Sequence, residues 1–173
     1  LASVPDGLAG KTVLDVGAGT GLLAIAADLL GAEASYGVDV DPVTVPVARA
    51  NAARNRSRAR FALGSIAATG TGVQNVTEAG VIVAPVDRPV TGLPSKVDVI
   101  VANLYAELHA ALFTAYVALL TPGGAAYLTG ILESRRDVVI GSVPAGMRLR
   151  AERQDGEWLL LEFERVVAAD SSR

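Results

Sequence analysis

The segment Asp15–Gly21 is the strongest candidate for chemistry in this chain, because its glycines are arranged to hold a small ligand. Gly17, Gly19 and Gly21 alternate with other residues directly after a short apolar run. Glycine tolerates positive φ and has no side chain, so a ligand can approach such a loop closely. A helix that begins at the end of the loop adds free N–H groups that favour an anionic group. The segment therefore predicts a ligand-binding turn between a strand and a helix.

The spacing of the glycines and the acidic residue before them narrow the ligand class. The pattern is G-x-G-x-G and not the G-x-G-x-x-G of dinucleotide-binding proteins. Asp15 lies two positions before the first glycine. A carboxylate there would repel a pyrophosphate but suits a ligand that carries a cation, and S-adenosyl-L-methionine carries a sulfonium and an ammonium. The alternative is a packing turn in which Asp15 only accepts a backbone N–H. The residues of this segment predicted to contact the cofactor are Asp15, Gly17, Gly19, Thr20 and Gly21.

Asp39 is the predicted contact with the ribose of the cofactor. It follows a strand-like run and lies 18 residues after Gly21, a position from which doubly wound sheets present a carboxylate to ribose hydroxyls. Asp41 competes for this role, but its place before Pro42 favours a helix cap. A solvated strand end is the alternative for Asp39. Ser65, after the third strand, is expected near the adenine on position alone.

Asn103 is the candidate for orienting a nucleophile. It follows Val97–Ala102, whose nearly continuous apolar character is typical of a strand buried on both faces. Ligands of open α/β sheets lie beyond the carboxyl ends of the strands, so Asn103 would lie over the reacting end of the cofactor. Its side-chain carbonyl can accept a hydrogen bond from an amine, helped by the backbone carbonyl of Leu104. Capping of the next helix is the alternative role for Asn103.

Other polar and aromatic residues receive structural interpretations. His109, the only histidine in the chain, is expected to be half-exposed on a helix and without a catalytic role. Tyr105 either lines the amine site or packs against its neighbours. Trp158 is expected in the core. The alternating arginines between Arg54 and Arg60 are interpreted as a solvated helix end, with an acidic partner or RNA as the alternative.

The elements that must position these residues alternate between strand and helix. The predicted strands are Thr12–Val16, Ser35–Val38, Arg60–Leu63, Val97–Ala102 and Ala125–Thr129. The predicted helices are Gly21–Leu30, Asp41–Asn55, Leu104–Leu120 and Ser134–Ile140. Residues 148–153 and 158–163 predict a hairpin with Asp-Gly in its turn. This order predicts an α/β fold with a mostly parallel sheet and an antiparallel strand at its end.

Residues 66–96 are the exception to this alternation. The segment is rich in Gly, Thr, Val and Pro and shows no clear periodicity. A structureless connection of about 30 residues would be long for a loop. We interpret the segment as an irregular insertion that either holds a small strand pair around Val81–Val83 or is partly disordered.

Length and composition limit the class of protein. The chain has 173 residues, of which 51% are hydrophobic and 19% charged, which is sufficient for one domain with its own core. The chain has no cysteine, so disulfides, thiolate metal sites and cysteine nucleophiles are excluded. A net charge of −3 argues against a general nucleic-acid surface. The most apolar predicted helix carries Glu107 and His109, and no signal peptide is recognised. We therefore expect a soluble, cytoplasmic protein with no membrane partner.

Three motifs together resemble the class I S-adenosylmethionine-dependent methyltransferases. These motifs are Asp15–Gly21, Gly37–Pro42 and Asn103 after a buried strand. Three further segments narrow the resemblance to the PrmA family, the methyltransferases of large-ribosomal-subunit protein eleven. They are Val101–Leu108, Leu128–Leu132 and Gly156–Trp158. The resemblance extends from about Lys11 to Phe163.

This resemblance implies a Rossmann-like, doubly wound sheet of seven strands with an antiparallel hairpin at its C-terminal end. It also implies methyl transfer from S-adenosyl-L-methionine to lysine side chains and the N-terminal amine of a ribosomal protein. We expect residues 1–173 to be the catalytic domain only, without the family's N-terminal recognition domain or the Gly/Thr-rich segment before its core. The alternatives are a methyltransferase acting on RNA or another amine, an NAD-dependent oxidoreductase, and a non-catalytic nucleoside-binding domain.

Overall fold

Nine strands and four α-helices form the part of the chain that the computed structural model describes, which is residues 7–66 and 92–166 with the backbone of 75–76 and 82–83. The strands are β1 (Thr12–Val16), β2 (Ala34–Asp39), β3 (Arg60–Leu63), β4 (Asn75–Val76), β5 (Ile82–Val83), β6 (Val97–Asn103), β7 (Leu120–Leu132), β8 (Met147–Asp155) and β9 (Trp158–Arg165). The helices are α1 (Leu22–Leu29), α2 (Thr44–Arg54), α3 (Ala106–Leu119) and α4 (Arg136–Ile140), the last preceded by a 3₁₀ turn at Glu133–Arg135.

Seven of the strands form one sheet in the order β3-β2-β1-β6-β7-β9-β8. The five strands from β3 to β7 in this order are mutually parallel, whereas β9 is antiparallel to both of its neighbours. The chain proceeds outward from β1 through β2 to β3 and then returns to β6 on the other side of β1. The predicted fold class is confirmed, and the switch point lies between β1 and β6.

Strands β1 and β6 lie in the middle of the sheet and are buried on both faces, because their side chains alternate between two different cores. Leu14 and Ile100 pack on the face covered by α3, together with Phe113. Val13 and Val99 belong to a second cluster on the opposite face. Apolar side chains on both faces explain why Val97–Ala102 reads as a continuous apolar run.

Most element boundaries differ from the sequence predictions by a few residues, and three of the differences are informative. Helix α2 begins at Thr44 and not at Asp41, although Asp41 Oδ1 accepts the Val43 N–H at 2.8 Å, as a cap does. Residues 121–124, which lie between the predicted helix and the next predicted strand, form a bulge within β7, because the pairing of β6 with β7 shifts from Val97–Leu120 to Val99–Ala125. The hairpin turn is centred one residue later than predicted, since β8 extends to Asp155.

The region of residues 66–96 contains the predicted strand pair. Strands β4 and β5 pair antiparallel, Asn75 with Val83 and Val76 with Ile82, in a small sheet of their own. The structure does not describe residues 67–74, 77–81 and 84–91. The alternative prediction of partial disorder concerns these residues and is therefore not tested. The interpretation of residues 66–96 as an insertion stays a prediction.

Of two predictions about side-chain exposure, one is wrong and the other is confirmed. Trp158, expected in the core, is 46% exposed, because it stands at the first position of β9 beside the hairpin turn. Arg54, Arg56, Arg58 and Arg60 are all exposed, as predicted. Among the described residues, no helix is both long and apolar enough to cross a membrane.

Candidate functional site

The glycine-rich loop between β1 and α1 is held against the end of β2. The N–H groups of Gly17 and Ala18 both donate to the Val38 carbonyl at 2.9 Å. Gly17, Gly19 and Gly21 have φ values of 73°, 52° and 86°, in the left-handed region that favours glycine. The loop conformation predicted from the glycine spacing is therefore the one that the chain adopts.

Asp15 lies beneath this loop and is 1% exposed. Its Oδ2 accepts the Ala24 N–H of α1 at 3.0 Å, while its Oδ1 is buried without a hydrogen-bond partner among the described residues. Burial raises the pKa of this carboxyl to about 7, opposed by the Ala24 N–H and reinforced by the negative charge of Asp39. The backbone contact considered as an alternative is thus present. It occupies only one oxygen, and the other is left for a donor or a cation.

Asp39 connects the loop to the next strand. Its Oδ2 accepts the Gly19 N–H at 2.7 Å and its Oδ1 accepts the Asp41 N–H at 2.9 Å. A carboxylate offers about four lone-pair positions, so about two remain on the half-buried side chain. The Asp39 carbonyl accepts the Gly64 N–H at 2.8 Å, which brings Ser65 to the same edge of the sheet.

The ring of Phe61 in β3 lies under the loop and explains two of the glycines. A methyl group at Gly21 would lie 2.7 Å from Cζ of this ring, and one at Gly37 would lie 2.6 Å from Cδ1 and Cε1. Phe61 was not among the predicted site residues, because the sequence pattern identifies a strand here but does not show which glycines the ring covers. Phe61 therefore stabilises both the loop and the strand that carries Asp39.

We expect Gly37→Ala to destabilise the protein by about 1–3 kcal/mol, because the new methyl overlaps the Phe61 ring and lies 2.9 Å from the Ala18 Cβ. Urea unfolding of Gly37→Ala, Phe61→Leu and the double variant measures the coupling. A smaller cost of Gly37→Ala in the Phe61→Leu background supports the assigned contact. Additive costs would contradict it.

The Asn103–Leu104 turn at the end of β6 packs directly on the glycine-rich loop. A methyl group at Gly17 would lie 2.5 Å from Cδ2 of Leu104. The Leu104 N–H donates to the Thr129 carbonyl of β7 at 3.0 Å. Gly130, with φ of 78°, approaches the turn so closely that a methyl group there would lie 2.5 Å from the Asn103 Oδ1. Gly130 is thus required at this position both by its φ and by the lack of space.

Asn103 is exposed, with its side chain at the carboxyl edge of the sheet. Tyr105, two residues further on, is 55% exposed. Tyr105 therefore lies at the surface of this edge, and its lining of the amine site stays a prediction.

His109 is fully buried, so the predicted half-exposed position is wrong. Its exposure is 0%, because α3 turns this residue toward β7 and not toward solvent. Nε2 lies 2.9 Å from the Thr129 carbonyl, and Nδ1 lies 3.3 Å from the Tyr116 hydroxyl. Burial lowers the pKa of His109 to about 4, against the opposing effect of the Thr129 and Leu104 carbonyls. With both ring nitrogens engaged, His109 is not available as a general base.

The structure therefore brings most of the predicted site residues to one edge of the sheet. Asp15, Gly17, Gly19, Gly21 and Asp39 form one hydrogen-bonded unit with the loop, and Leu104 contacts that unit. Thr20 is exposed, and its carbonyl accepts Nδ2 of Asn51 at 3.0 Å. The neighbouring Gly64 links Ser65 to Asp39.

Comparison with known proteins decides the family. The model of the ribosomal protein L11 methyltransferase (PrmA) family matches residues 6–166. The chain belongs to this family. The ribosomal protein L11 methyltransferase of Thermus thermophilus is 45% identical over 157 residues, which are 90% of this chain and 53% of that protein. The one from Deinococcus radiodurans is 42% identical over 166 residues, covering 91% of this chain and 54% of that protein. The chain thus spans about half the length of these relatives.

The fold comparison agrees with this assignment. A crystal structure of the ribosomal protein L11 methylase from Lactobacillus delbrueckii subsp. bulgaricus superposes with a TM-score of 0.70 at 24% identity, covering 91% of this chain and 71% of that chain. At this identity the likeness shows the fold alone. Membership of the family confirms the predicted resemblance to methyltransferases.

The described residues fit the cofactor that such chemistry requires. The unpartnered buried Oδ1 of Asp15 can face a donor or a cation. A methyl group at Gly19 would meet nothing within 4 Å, so the backbone there is open to a ligand. Asp39 retains lone pairs for hydroxyl groups. A pyrophosphate would instead meet two carboxylates at this edge.

Proposed function

We propose that this chain is the catalytic part of a protein N-methyltransferase, which moves methyl groups from S-adenosyl-L-methionine to amines of ribosomal protein L11. The acceptors are lysine side chains and the N-terminal amine. One observation carries the proposal: the Asn103–Leu104 turn of β6 packs on Gly17 of the glycine-rich loop. This contact places the Asn103–Leu104 turn, which would orient the amine, beside the glycine-rich loop, which would bind the nucleoside, at the switch point between β1 and β6. A ribosomal substrate implies action in the cytoplasm.

The residues that would hold S-adenosyl-L-methionine belong to the unit described above. When bound, this cofactor supplies an electrophilic methyl group on a sulfonium. Asp39 would accept the ribose hydroxyls with the lone pairs left free by Gly19 and Asp41. Asp15 would face the cationic end through its unpartnered oxygen. The predicted cofactor contacts are Asp15, Gly17, Gly19, Thr20, Gly21, Asp39, Ser65 and Asn103.

Asn103 and Leu104 would orient the acceptor amine. A free lysine has a pKa near 10.4 and is mostly protonated at neutral pH. Desolvation and a neighbouring positive charge both lower the pKa of the amine and favour its neutral form. A neutral primary amine has two N–H bonds, and the Asn103 Oδ1 and the Leu104 carbonyl can accept both. The nitrogen lone pair then points away from these acceptors, and positioning of this kind supplies a large part of the rate.

Calorimetric titration of the chain with S-adenosyl-L-methionine, with NADH in parallel, tests the cofactor assignment. We expect micromolar binding of the first alone, about −8 kcal/mol. In Asp39→Ala the affinity should fall by about 10- to 100-fold, because this variant removes the acceptor for the ribose hydroxyls at a cost of about 1–3 kcal/mol.

The control is Asp41→Ala, since Asp41 is exposed and its carboxylate accepts the Val43 N–H. An equal loss of affinity in both variants would contradict the assignment of Asp39 as the residue that binds the ribose hydroxyls. Preferential binding of NADH would overturn the cofactor assignment. Mass spectrometry of purified L11 incubated with the chain and S-adenosyl-L-methionine tests the substrate, and an unmodified protein contradicts it.

A further inference from the structure

The backbone carbonyl of Thr129 receives two hydrogen bonds from different elements. The Leu104 N–H donates to it at 3.0 Å from the end of β6, and His109 Nε2 lies 2.9 Å away on α3. A carbonyl oxygen has two lone pairs, so both are occupied. This atom therefore connects the proposed amine-orienting turn to the buried side chain of His109, on which the Leu104 carbonyl also acts directly.

The imidazole ring of His109 is held in one orientation. Since a carbonyl only accepts, Nε2 carries the proton, and Nδ1 then accepts the Tyr116 hydroxyl at 3.3 Å. Tyr116 is itself 0% exposed. Its ring packs edge-on against Phe113, with centroids 6.0 Å apart. Phe113 packs in the same way against Phe163 of β9, at 5.3 Å. These aromatic contacts hold the Tyr116 ring, and with it the hydroxyl that faces Nδ1.

The space beside this carbonyl is tightly limited. Gly130, the next residue, is in contact with the Asn103 side chain and with the Leu104 backbone, so that no methyl group can be added there. A shift of the segment at residues 129–130 would therefore be transmitted to Asn103. The pairing of β7 with β9 is irregular between Leu128 and Ile131. The segment is held instead by its pairing with β6, Thr129 with Asn103, and by the Thr129 hydroxyl, which donates to the Leu159 carbonyl at 3.0 Å.

We propose that His109 is a positioning residue for methyl transfer, which acts through the Thr129 carbonyl to hold the Asn103–Leu104 turn in its orientation. This inference rests on the proposed function for its consequence in catalysis but not for its structural part. His109 itself is buried and does not touch the acceptor amine.

Two substitutions separate this role from simple core packing. His109→Leu removes the donor to Thr129 and leaves the Tyr116 hydroxyl without its acceptor. His109→Gln can provide both an N–H donor and a carbonyl acceptor from one side chain. The matched control is Leu112→Ala, since Leu112 lies buried on the same helix but takes no part in these hydrogen bonds. It should reduce stability without moving the turn.

The structural part is tested by NMR, because the single histidine gives one set of imidazole signals. We expect the neutral form protonated on Nε2 between about pH 5.5 and 8. We also expect amide hydrogen exchange at Leu104 to accelerate at least about 10-fold in His109→Leu and to be restored in His109→Gln. Protonation on Nδ1, or unchanged exchange at Leu104 in His109→Leu, would overturn the inference.

The catalytic part is tested by comparing turnover on L11 with cofactor affinity. In His109→Leu we expect kcat to fall on the order of 10²-fold, with the Kd for S-adenosyl-L-methionine changed by less than about 3-fold. His109→Gln should recover most of kcat, and Leu112→Ala should retain it. Equal losses in kcat and affinity would contradict a positioning role. If His109→Leu does not fold, His109→Phe replaces it, because phenylalanine keeps an aromatic ring and removes the hydrogen bond to Thr129. Unchanged Leu104 exchange together with unchanged kcat in that variant would overturn the inference. Failure of the wild-type chain to methylate L11 would refute the proposed function and leave the NMR result standing.

Discussion

Replacement of Asp15 by asparagine is expected to stabilise the ligand-free chain at pH 8 and at the same time to weaken cofactor binding. The wild-type carboxyl has a pKa of about 7 because it is buried, and one of its oxygens has no partner among the described residues. Above pH 7 the folded protein therefore contains a poorly solvated charge. Asparagine preserves an acceptor for the Ala24 N–H without that charge.

The pH dependence has a defined sign. The unfolded carboxyl titrates near pH 3.9, whereas the folded one titrates at about 7. The protonated Asp15 carboxyl therefore makes a favourable contribution to the free energy of unfolding, and this contribution is fully present below about pH 4. It is lost as the pH rises through the folded pKa, at about 1.4 kcal/mol per pH unit, which amounts to about 4 kcal/mol in total. Above pH 7 this contribution is constant.

Thermal unfolding of both proteins at about pH 5 and pH 8 measures the effect. At pH 8 we expect the free energy of unfolding of Asp15→Asn to exceed that of the wild-type protein by about 2 kcal/mol, or roughly 4–8 °C in Tm. At pH 5 the difference should be much smaller. The same variant should bind S-adenosyl-L-methionine at least about 10-fold more weakly. A stability difference that does not depend on pH would show that the Asp15 charge is not its cause.

Asn103→Ala is expected to reduce turnover on L11 by about 10²-fold. The side-chain carbonyl that would accept one N–H of the amine is lost, while the backbone carbonyl of Leu104 remains. The Kd for S-adenosyl-L-methionine should stay within a few-fold, because Asp15, Asp39 and the glycine-rich loop are unchanged.

Methylation rates and calorimetric affinities of the same preparations measure this separation. Asn55→Ala is the matched control, since Asn55 is an exposed amide at the end of α2. It should leave both quantities unchanged. If Asn103→Ala lost affinity as strongly as turnover, its role would be cofactor binding and not orientation of the amine.

The sequence alone determined the features that depend on neighbours along the chain. The glycine-rich loop was predictable because positive φ is a local property of glycine, and β1 and β3 have the predicted bounds. The mostly parallel sheet was predictable because apolar runs of strand length alternate with segments of helical periodicity, and this alternation is typical of α/β folds. The acidic residues before and after the loop indicated the class of cofactor.

The tertiary structure decided the features that depend on which surfaces meet. His109 and Tyr116 are seven residues apart and therefore lie on one face of α3, but the burial of that face depends on β7 and β9, which pack against it. Phe61 covers Gly21 and Gly37 only because β2 and β3 are adjacent and parallel. The contact between Leu104 and Gly17 joins residues far apart in the chain. Contacts of this kind carry no local signature, because the partners are brought together by the sheet order and not by their spacing in the sequence.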